Sequence, residues 1–591
     1  MKKKQMNKRD CVLFPLLILA LWFGLSESLP AQYQQEAGFY TLEANTFHYH
    51  SGSYFQRVAL RSSPARIWYA YQPADKDPAS KPLFVFYNGG PGGATSAGLF
   101  CAHTGRLSIQ YDPVNGTGFV APNPSSWTRA GNLLHIDART TGFSYSQMDN
   151  PQDNTLRMAE FDAQNYNSFT DGADFIRVIL RFLADHPDIR NNPVILVPES
   201  YGGIRSTVIL HILLNYRKYA NGETAFQNPD LVQEIRNHYT AVFPEYAGQT
   251  VPPAVIARQF GHQIMIQVAV SHPNQRRIAE EMLEAPGSPL FRLAAETGVP
   301  YVRWREVPGH TGTPTPGQVM NHIYNYLDTI NRDAYIITKP GNFFNGFLLA
   351  AQELLTHFIS LTRLIGNDPA GIPELYASAR QNAYKSRMSG DINLDALSNS
   401  KLGPVPKTLD SANGRTTRTN GDLPAVFGIL QPWDRFFIDL NYDANIAFYY
   451  NRLYLAGYGY EMMWSLSNLF GDMFLENVAW VNTFMTNAAH DVVVYSPAIP
   501  GALAGHTHYL TSVEHDTTGP KNAVRPGQMI LHYNSGSVPG SSVSERTIRF
   551  PFYSNSGHPV TLTEPEEMLK DVIAWLQSTG LITNDREGDN P

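Results

Sequence analysis

The chain has 591 residues, 43% of them hydrophobic and 16% charged, and a formal charge of −7. That composition is globular; it excludes a disordered polyelectrolyte, and the sign of the charge excludes a basic nucleic-acid binder. Two cysteines, Cys11 and Cys101, permit at most one disulfide, so a core rather than a set of covalent staples must hold the fold.

In chain order, Lys2, Lys3, Lys4, Lys8 and Arg9 precede an apolar run from Cys11 to Leu25, and the small residues Ser26, Ser28 and Ala31 follow. A basic start, an apolar run shorter than the roughly 20 residues of a bilayer span, and small residues at its end predict a secretory signal peptide over 1–31. An uncleaved signal anchor is the alternative. Cleavage leaves Cys101 as the sole thiol and moves the net charge from −7 to −10, because 1–31 carries five basic and two acidic side chains. The expectation is an exported protein, periplasmic or secreted, with no other stretch apolar enough to cross a membrane.

Lys81 to Tyr87 and Asn132 to Asp137 are short apolar runs bounded by turn residues and predict buried strands. Asp171 to Asp185 carries Phe175, Ile176, Ile179, Leu180, Phe182 and Leu183 at helical spacing. Val194 to Val197 predicts another buried strand, with a helix from Ile204 to Leu214 directly after it. Strands alternating with helices imply an α/β fold with a mostly parallel sheet covered on both faces. From 271 to 430 the patterns turn mainly helical (277–283, 317–329, 344–364), with a polar stretch over 386–422, and this region reads as an inserted lid. Strands are expected again at Val492 to Tyr495 and Thr547 to Tyr553. A closing helix follows, with Thr563 as cap, Pro565 in its first turn and Glu566 completing a capping box. Two core parts, 32–270 and 431–591, thus bracket one insertion. That differs from the three to four domains that about 150 residues per domain would suggest.

Three motifs carry chemistry. Ser200, in Pro198-Glu199-Ser200-Tyr201-Gly202-Gly203, stands between a strand and a helix, where a sharp turn lifts a serine hydroxyl above a sheet and aims backbone N–H groups at a developing oxyanion. Tyr87-Asn88-Gly89-Gly90-Pro91-Gly92-Gly93 follows a strand, and its glycines free N–H groups to face a ligand. A phosphate loop is excluded there, because no Gly-Lys-Ser/Thr ending is present and Pro91 lacks a donor. His558 lies in a loop between the last strand and the closing helix, where a general base to Ser200 belongs, serine first and histidine last.

With these motifs the chain resembles the serine carboxypeptidase family of α/β-hydrolases, as an exported, divergent member of bacterial type. The resemblance rests on Phe86 to Gly92, on Pro122-Asn123-Pro124-Ser125-Ser126-Trp127, on Asn132 to Asp137, on Thr141-Gly142-Phe143-Ser144-Tyr145-Ser146, on Glu199 to Gly203, and on Gly557-His558 with Glu564-Pro565-Glu566. It implies Ser200 as nucleophile and His558 as base, with the N–H groups of Gly90 and Tyr201 as oxyanion hole. Asn88, Gly89 and Glu199 would then bind substrate, the carboxyl of Glu199 and the amide of Asn88 holding a terminal carboxylate. A peptide or small acyl substrate is implied, and neither cofactor nor metal is called for.

The sequence also departs from that family. Its acid follows a strand in a Tyr-x-Gly-Asp-x-Asp type segment, whereas Val492 to Tyr495 runs into Ser496 to Pro500, with Pro500 at the expected acid position. Glu514 and Asp516 are the possible substitutes, and Asp491 precedes the strand, at the wrong end of the sheet. Pro198 replaces a glycine, Gly93 a cysteine, and Ala102 a glutamate that pairs with the elbow glutamate. His506, His508, His515 and Asp516 have the right types for a metal cluster, but a polar loop is the better reading. Hydrolysis of peptide C-termini, or of related esters and amides, through an acyl-enzyme on Ser200 is the leading expectation. A catalytically silent binding protein and an acyltransferase remain open.

Overall fold

In a computed structural model of the chain, the described residues are 35–49, 60–89, 95–112, 117–139, 144–146, 168–268, 282–326, 409–410, 415–416, 467–488, 491–504, 510–516, 528–534 and 545–582, with short gaps inside several of these ranges. The principal strands are β1 (Glu36–Leu42), β2 (Ala65–Gln72), β3 (Leu83–Tyr87), β4 (Asn132–Ile136), β5 (Val194–Pro198), β6 (His262–Met265), β7 (Asn482–Met485), β8 (Leu510–Asp516), β9 (Gln528–Asn534) and β10 (Glu545–Phe550). They form one sheet in the order β1-β2-β4-β3-β5-β6-β7-β10-β9-β8. The pairs from β4 through β10 are parallel, and antiparallel strands close both edges.

The strands bury both faces because their apolar runs are continuous, as parallel sheets require. Leu83, Val85 and Tyr87 of β3 and Val194 and Leu196 of β5 join the core on one face, while Phe84, Phe86, Ile195 and Val197 join the core on the other. Helices α1 (Ser168–Asp185), α2 (Gly202–Leu214), α3 (Pro229–Val242), α4 (Pro253–Phe260) and α5 (Ser467–Val478) contribute to the first core, and α6 (Pro565–Ser578) contributes Met568, Val572, Trp575 and Leu576 to the second. Helix α2 is buried along its whole length, packed between α1 and α5, so its sequence is apolar all round rather than striped. This strand order with helices on both faces, and a serine turn leaving the central β5, is the α/β-hydrolase fold.

The expected strands at 81–87, 132–137 and 194–197 stand within a residue or two of β3, β4 and β5, and the helices expected from 171 and 204 begin slightly earlier, as α1 and α2. The strand before Asp491 is β7, at Asn482–Met485, and the strand expected at Val492 to Tyr495 lies outside the described residues. One expectation is corrected. The closing helix has Glu564 at its N-cap without a side-chain cap bond. Thr563 instead ends a short preceding turn and meets Ser556 hydroxyl to hydroxyl at 2.6 Å. Most of the proposed lid, 271–430, lies outside the described residues, as do residues 1–34 and with them the signal segment.

Candidate active site

The Ser200 turn is pinned on two sides. Glu199 N donates to Tyr87 O at 3.0 Å, Ser200 N donates to Ile266 O at 3.0 Å, and Ile266 N returns to Pro198 O at 2.8 Å. The ends of β3 and β6 therefore hold the end of β5 between them. The chain then reverses through Gly202 N to Glu199 O at 2.8 Å and Gly203 N to Ser200 O at 3.0 Å, and α2 begins. Ser200 sits at φ 58°, a left-handed conformation that a side chain disfavours, and it is buried to 8% exposure. Pro198 does not crowd this turn, because the space next to it is given up by Gly202. A Cβ there would meet Pro198 Cβ at 3.0 Å. Gly89 is required more strictly, since a Cβ on it would lie 2.6 Å from Glu199 O and 2.8 Å from Ser200 Cβ, and would also strike the Tyr201 N–H. The Asn88–Gly89 turn thus rides directly over the elbow, while Gly90 lies outside the described residues.

Asn88 is fixed through every polar group it has. Its N–H donates to Thr95 Oγ1 at 3.0 Å, its Oδ1 accepts from Leu99 N at 2.8 Å, its Nδ2 donates to Glu199 Oε1 at 3.0 Å, and its carbonyl accepts from Arg205 Nη1 at 2.6 Å. Arg205, 1% exposed, also donates to Asp171 Oδ2 at 2.8 Å and stacks over Phe175 at 4.5 Å. Burial pushes the Glu199 carboxyl above the ordinary range. The positive charge of His558 and the Asn88 amide pull it back, and the charge of Asp491 adds to the rise.

His558 meets a carboxylate, and it is Asp491. The Nδ1 of His558 lies 2.9 Å from Asp491 Oδ2, with the carboxylate fully buried and the imidazole 13% exposed. A two-residue parallel ladder builds this pair: Asn487 registers with Phe552 and Ala488 with Tyr553, so the loops leaving β7 and β10 start side by side. Tyr553 OH is anchored on Asp571 of α6 at 3.0 Å. Because β5, β7 and β10 run parallel, their following loops share one end of the sheet, which brings Ser200, Asp491 and His558 to the same rim.

Where the sequence offered no carboxylate in place for His558, the structure sets Asp491 against it. With β7 as the preceding strand, Asp491 follows it rather than preceding it. Pro500 lies further on, buried in the helical turn Ala498–Ala504. Glu514 and Asp516, the substitutes considered, fall on β8, the edge strand two places beyond β10, where they register with Ile530 and Gln528. The expected Ser200, Tyr201, Asn88, Gly89, Glu199 and His558 do converge. Gln267, just after β6, carries no motif in the sequence and stands beside Asp491 in the fold. Among the described residues no group of three or more His, Cys, Asp or Glu side chains is placed to hold a metal ion. His506 and His508 lie outside the described residues.

Comparison with known proteins follows the same motifs. The family model described as serine carboxypeptidase matches residues 42–229, which takes in the Asn88 turn and the Ser200 elbow. The chain is similar to the mouse (Mus musculus) lysosomal protective protein, 31% identical over 196 residues, covering 32% of this chain and 36% of that protein. It is also similar to serine carboxypeptidase-like 41 of Arabidopsis thaliana, 27% identical over 216 residues, covering 35% of this chain and 41% of the relative. Its likeness to serine carboxypeptidase-like 5 of the same plant is 27% over 144 residues, covering 24% and 29%. These alignments span well under half the length of the curated relatives. Among solved structures, a prohormone-processing carboxypeptidase from Saccharomyces cerevisiae superposes over 94% of both chains with 13% identity and a TM-score of 0.44.

Proposed function

We propose that this protein is a serine hydrolase that cleaves peptide C-termini or related esters and amides through an acyl-enzyme on Ser200. The observation that carries the reading is the buried Asp491 carboxylate on His558 Nδ1 at 2.9 Å. An acid on Nδ1 fixes the tautomer in which Nε2 carries the lone pair, and it steadies the imidazolium that forms. In the proposed cycle His558 Nε2 takes the Ser200 proton as Oγ attacks the carbonyl carbon, and the oxyanion collects on the N–H groups of Tyr201 and Gly90. Collapse breaks the bond to the amine or alcohol, which leaves with the proton held by His558. Water then repeats the sequence on the acyl-enzyme, returning Ser200 and its proton.

Asn88 and Glu199 give the proposal its preference for a free carboxylate. A protonated Glu199, favoured by its burial, donates a hydrogen bond to a substrate carboxylate, whereas an ionised one repels it. KM for free-acid substrates should accordingly rise as pH climbs through the raised pKa of Glu199, and KM for blocked amides should not. Glu199→Gln, which cannot ionise, should flatten that rise; KM curves that stay parallel for the two substrate types would count against the assignment. Export through residues 1–31 belongs to the same proposal. Among the described residues no helix is long and apolar enough to cross a membrane.

A fluorophosphonate probe tests the reaction directly. The folded protein should be labelled, and Ser200→Gly should not. The same variant should be more stable to denaturant by about 1 kcal/mol, because glycine occupies φ near 58° without strain. Labelling that survives Ser200→Gly, or no labelling of the folded wild type, would sink the proposal.

A further inference from the structure

We infer that Gln267 is a positioning residue for the acid, holding the orientation of Asp491 and sharing with His558 the carboxylate oxygen between them; this rests on the Ser200, His558 and Asp491 reading above. Gln267 is fully buried at the end of β6 and has φ 46°, a conformation that glycine adopts freely and glutamine does not. A buried side chain held in that way needs interactions that outweigh the strain. Its amide has them when its nitrogen faces the acid. The nitrogen then donates to Asp491 Oδ2 at 2.9 Å and to Ser496 Oγ, while the oxygen accepts from Ala488 N at 3.2 Å and Thr486 Oγ1 at 2.9 Å. The opposite seating would set acceptor against acceptor and donor against donor.

The arrangement is a clamp on the acid loop. Gln267 N donates to Thr486 Oγ1 at 2.9 Å, Thr486 N donates to Met265 O at 2.9 Å, and Ala488 N donates to Ser496 Oγ at 3.0 Å. The end of β6 is thereby fastened to both ends of the segment that carries Asp491. The oxygen matters as much as the clamp, because Gln267 donates to the same Oδ2 that faces His558 Nδ1. A second donor on that oxygen draws negative charge from it, so it weakens the pull of Asp491 on the imidazolium and keeps the base less basic than the carboxylate alone would make it. Among the described residues, the charged groups facing His558 include Asp491 and Glu199.

Gln267→Met keeps the volume and removes the donor. The rate of fluorophosphonate labelling should fall about 10-fold to 100-fold, in line with loss of a hydrogen bond to a charged group. Its acidic limb, which follows His558, should move up by roughly half a pH unit or more. Gln267→Glu keeps the acceptor for Ala488 and Thr486 should the Met variant not fold. There the two facing carboxyls hold one proton between them, and labelling should decline at alkaline pH where the wild type levels off. A folded variant slowed without any change in the pH profile, or one labelled like wild type, overturns the role of Gln267 alone. Absence of Ser200 labelling in the wild type overturns this inference together with the reaction it serves.

Discussion

Asp491→Asn should lower the rate of acylation by about 10⁴, with kcat and kcat/KM falling together and KM for the substrate little changed. The shape of the side chain is preserved, so the effect is one of protons. An asparagine can turn its amide nitrogen towards His558 Nδ1, which then becomes the acceptor, and Nε2 carries the proton it ought to receive. Burial sharpens the contrast, because no water reaches the fully enclosed carboxylate to take over its role. Glu514→Gln and Asp516→Asn, on the edge strand two places beyond β10, should leave the rate within about twofold. The measurement is pre-steady-state ester hydrolysis or fluorophosphonate inactivation on each purified variant. If Asp491→Asn keeps a tenth of the wild-type rate, the carboxylate at His558 is not the acid of the reaction.

Local patterns carry part of this site, and contacts between distant segments carry the rest. The elbow was legible because strand, turn and helix are local and Ser200 announces itself by its neighbours. The Asn88 turn was legible for the same reason, since only glycine fits at 89. Asp491 reads as preceding a strand because Val492 to Tyr495 is continuously apolar, whereas β7, at Asn482–Met485, begins with two polar residues and gives the weaker signal. The choice between them decides which end of the sheet Asp491 occupies, and it is made by pairing: β7 lies between β6 and β10, partners separated from it by long stretches of sequence. Gln267 was illegible for a further reason. Its role is defined by an oxygen on Asp491, and no local pattern encodes a contact across so much intervening chain.

The strain at the elbow and the charge beneath it belong to one design. Two left-handed residues, Ser200 and Gln267, sit at the ends of adjacent strands β5 and β6, one the proposed nucleophile and the other the proposed brace of Asp491. Such conformations persist only where the surroundings over-determine them. Backbone bonds from Tyr87 and Ile266 do this for the elbow. On the other side of the turn the task falls to Arg205, which binds Asn88 O and Asp171 together while lying among Phe175, Tyr87 and Tyr201.

Arg205→Met should therefore destabilise the protein by about 3–5 kcal/mol, read as a lower denaturation midpoint with an unchanged m-value. The methionine fills most of the volume, so the loss comes from stranding charge: the Asp171 carboxylate loses its guanidinium and Asn88 O loses its donor. Asp171→Asn alone should cost less, because Arg205 keeps its bond to Asn88 O and its stacking over Phe175, and the asparagine oxygen can still accept from the guanidinium. The double variant Arg205→Met with Asp171→Asn should recover part of the loss, since no unpaired carboxylate is then left behind. Arg205→Lys should fall between, keeping the charge but not the fork that reaches Asp171 and Asn88 at once. The functional signature is separate from the stability. If the guanidinium steadies the turn bearing Asn88, the folded Arg205→Lys variant should raise KM for free-acid substrates more than for blocked ones, because the Asn88 to Glu199 bond at 3.0 Å is the contact most exposed to a shift of that turn. An equal rise for both substrates would assign Arg205 to the core alone.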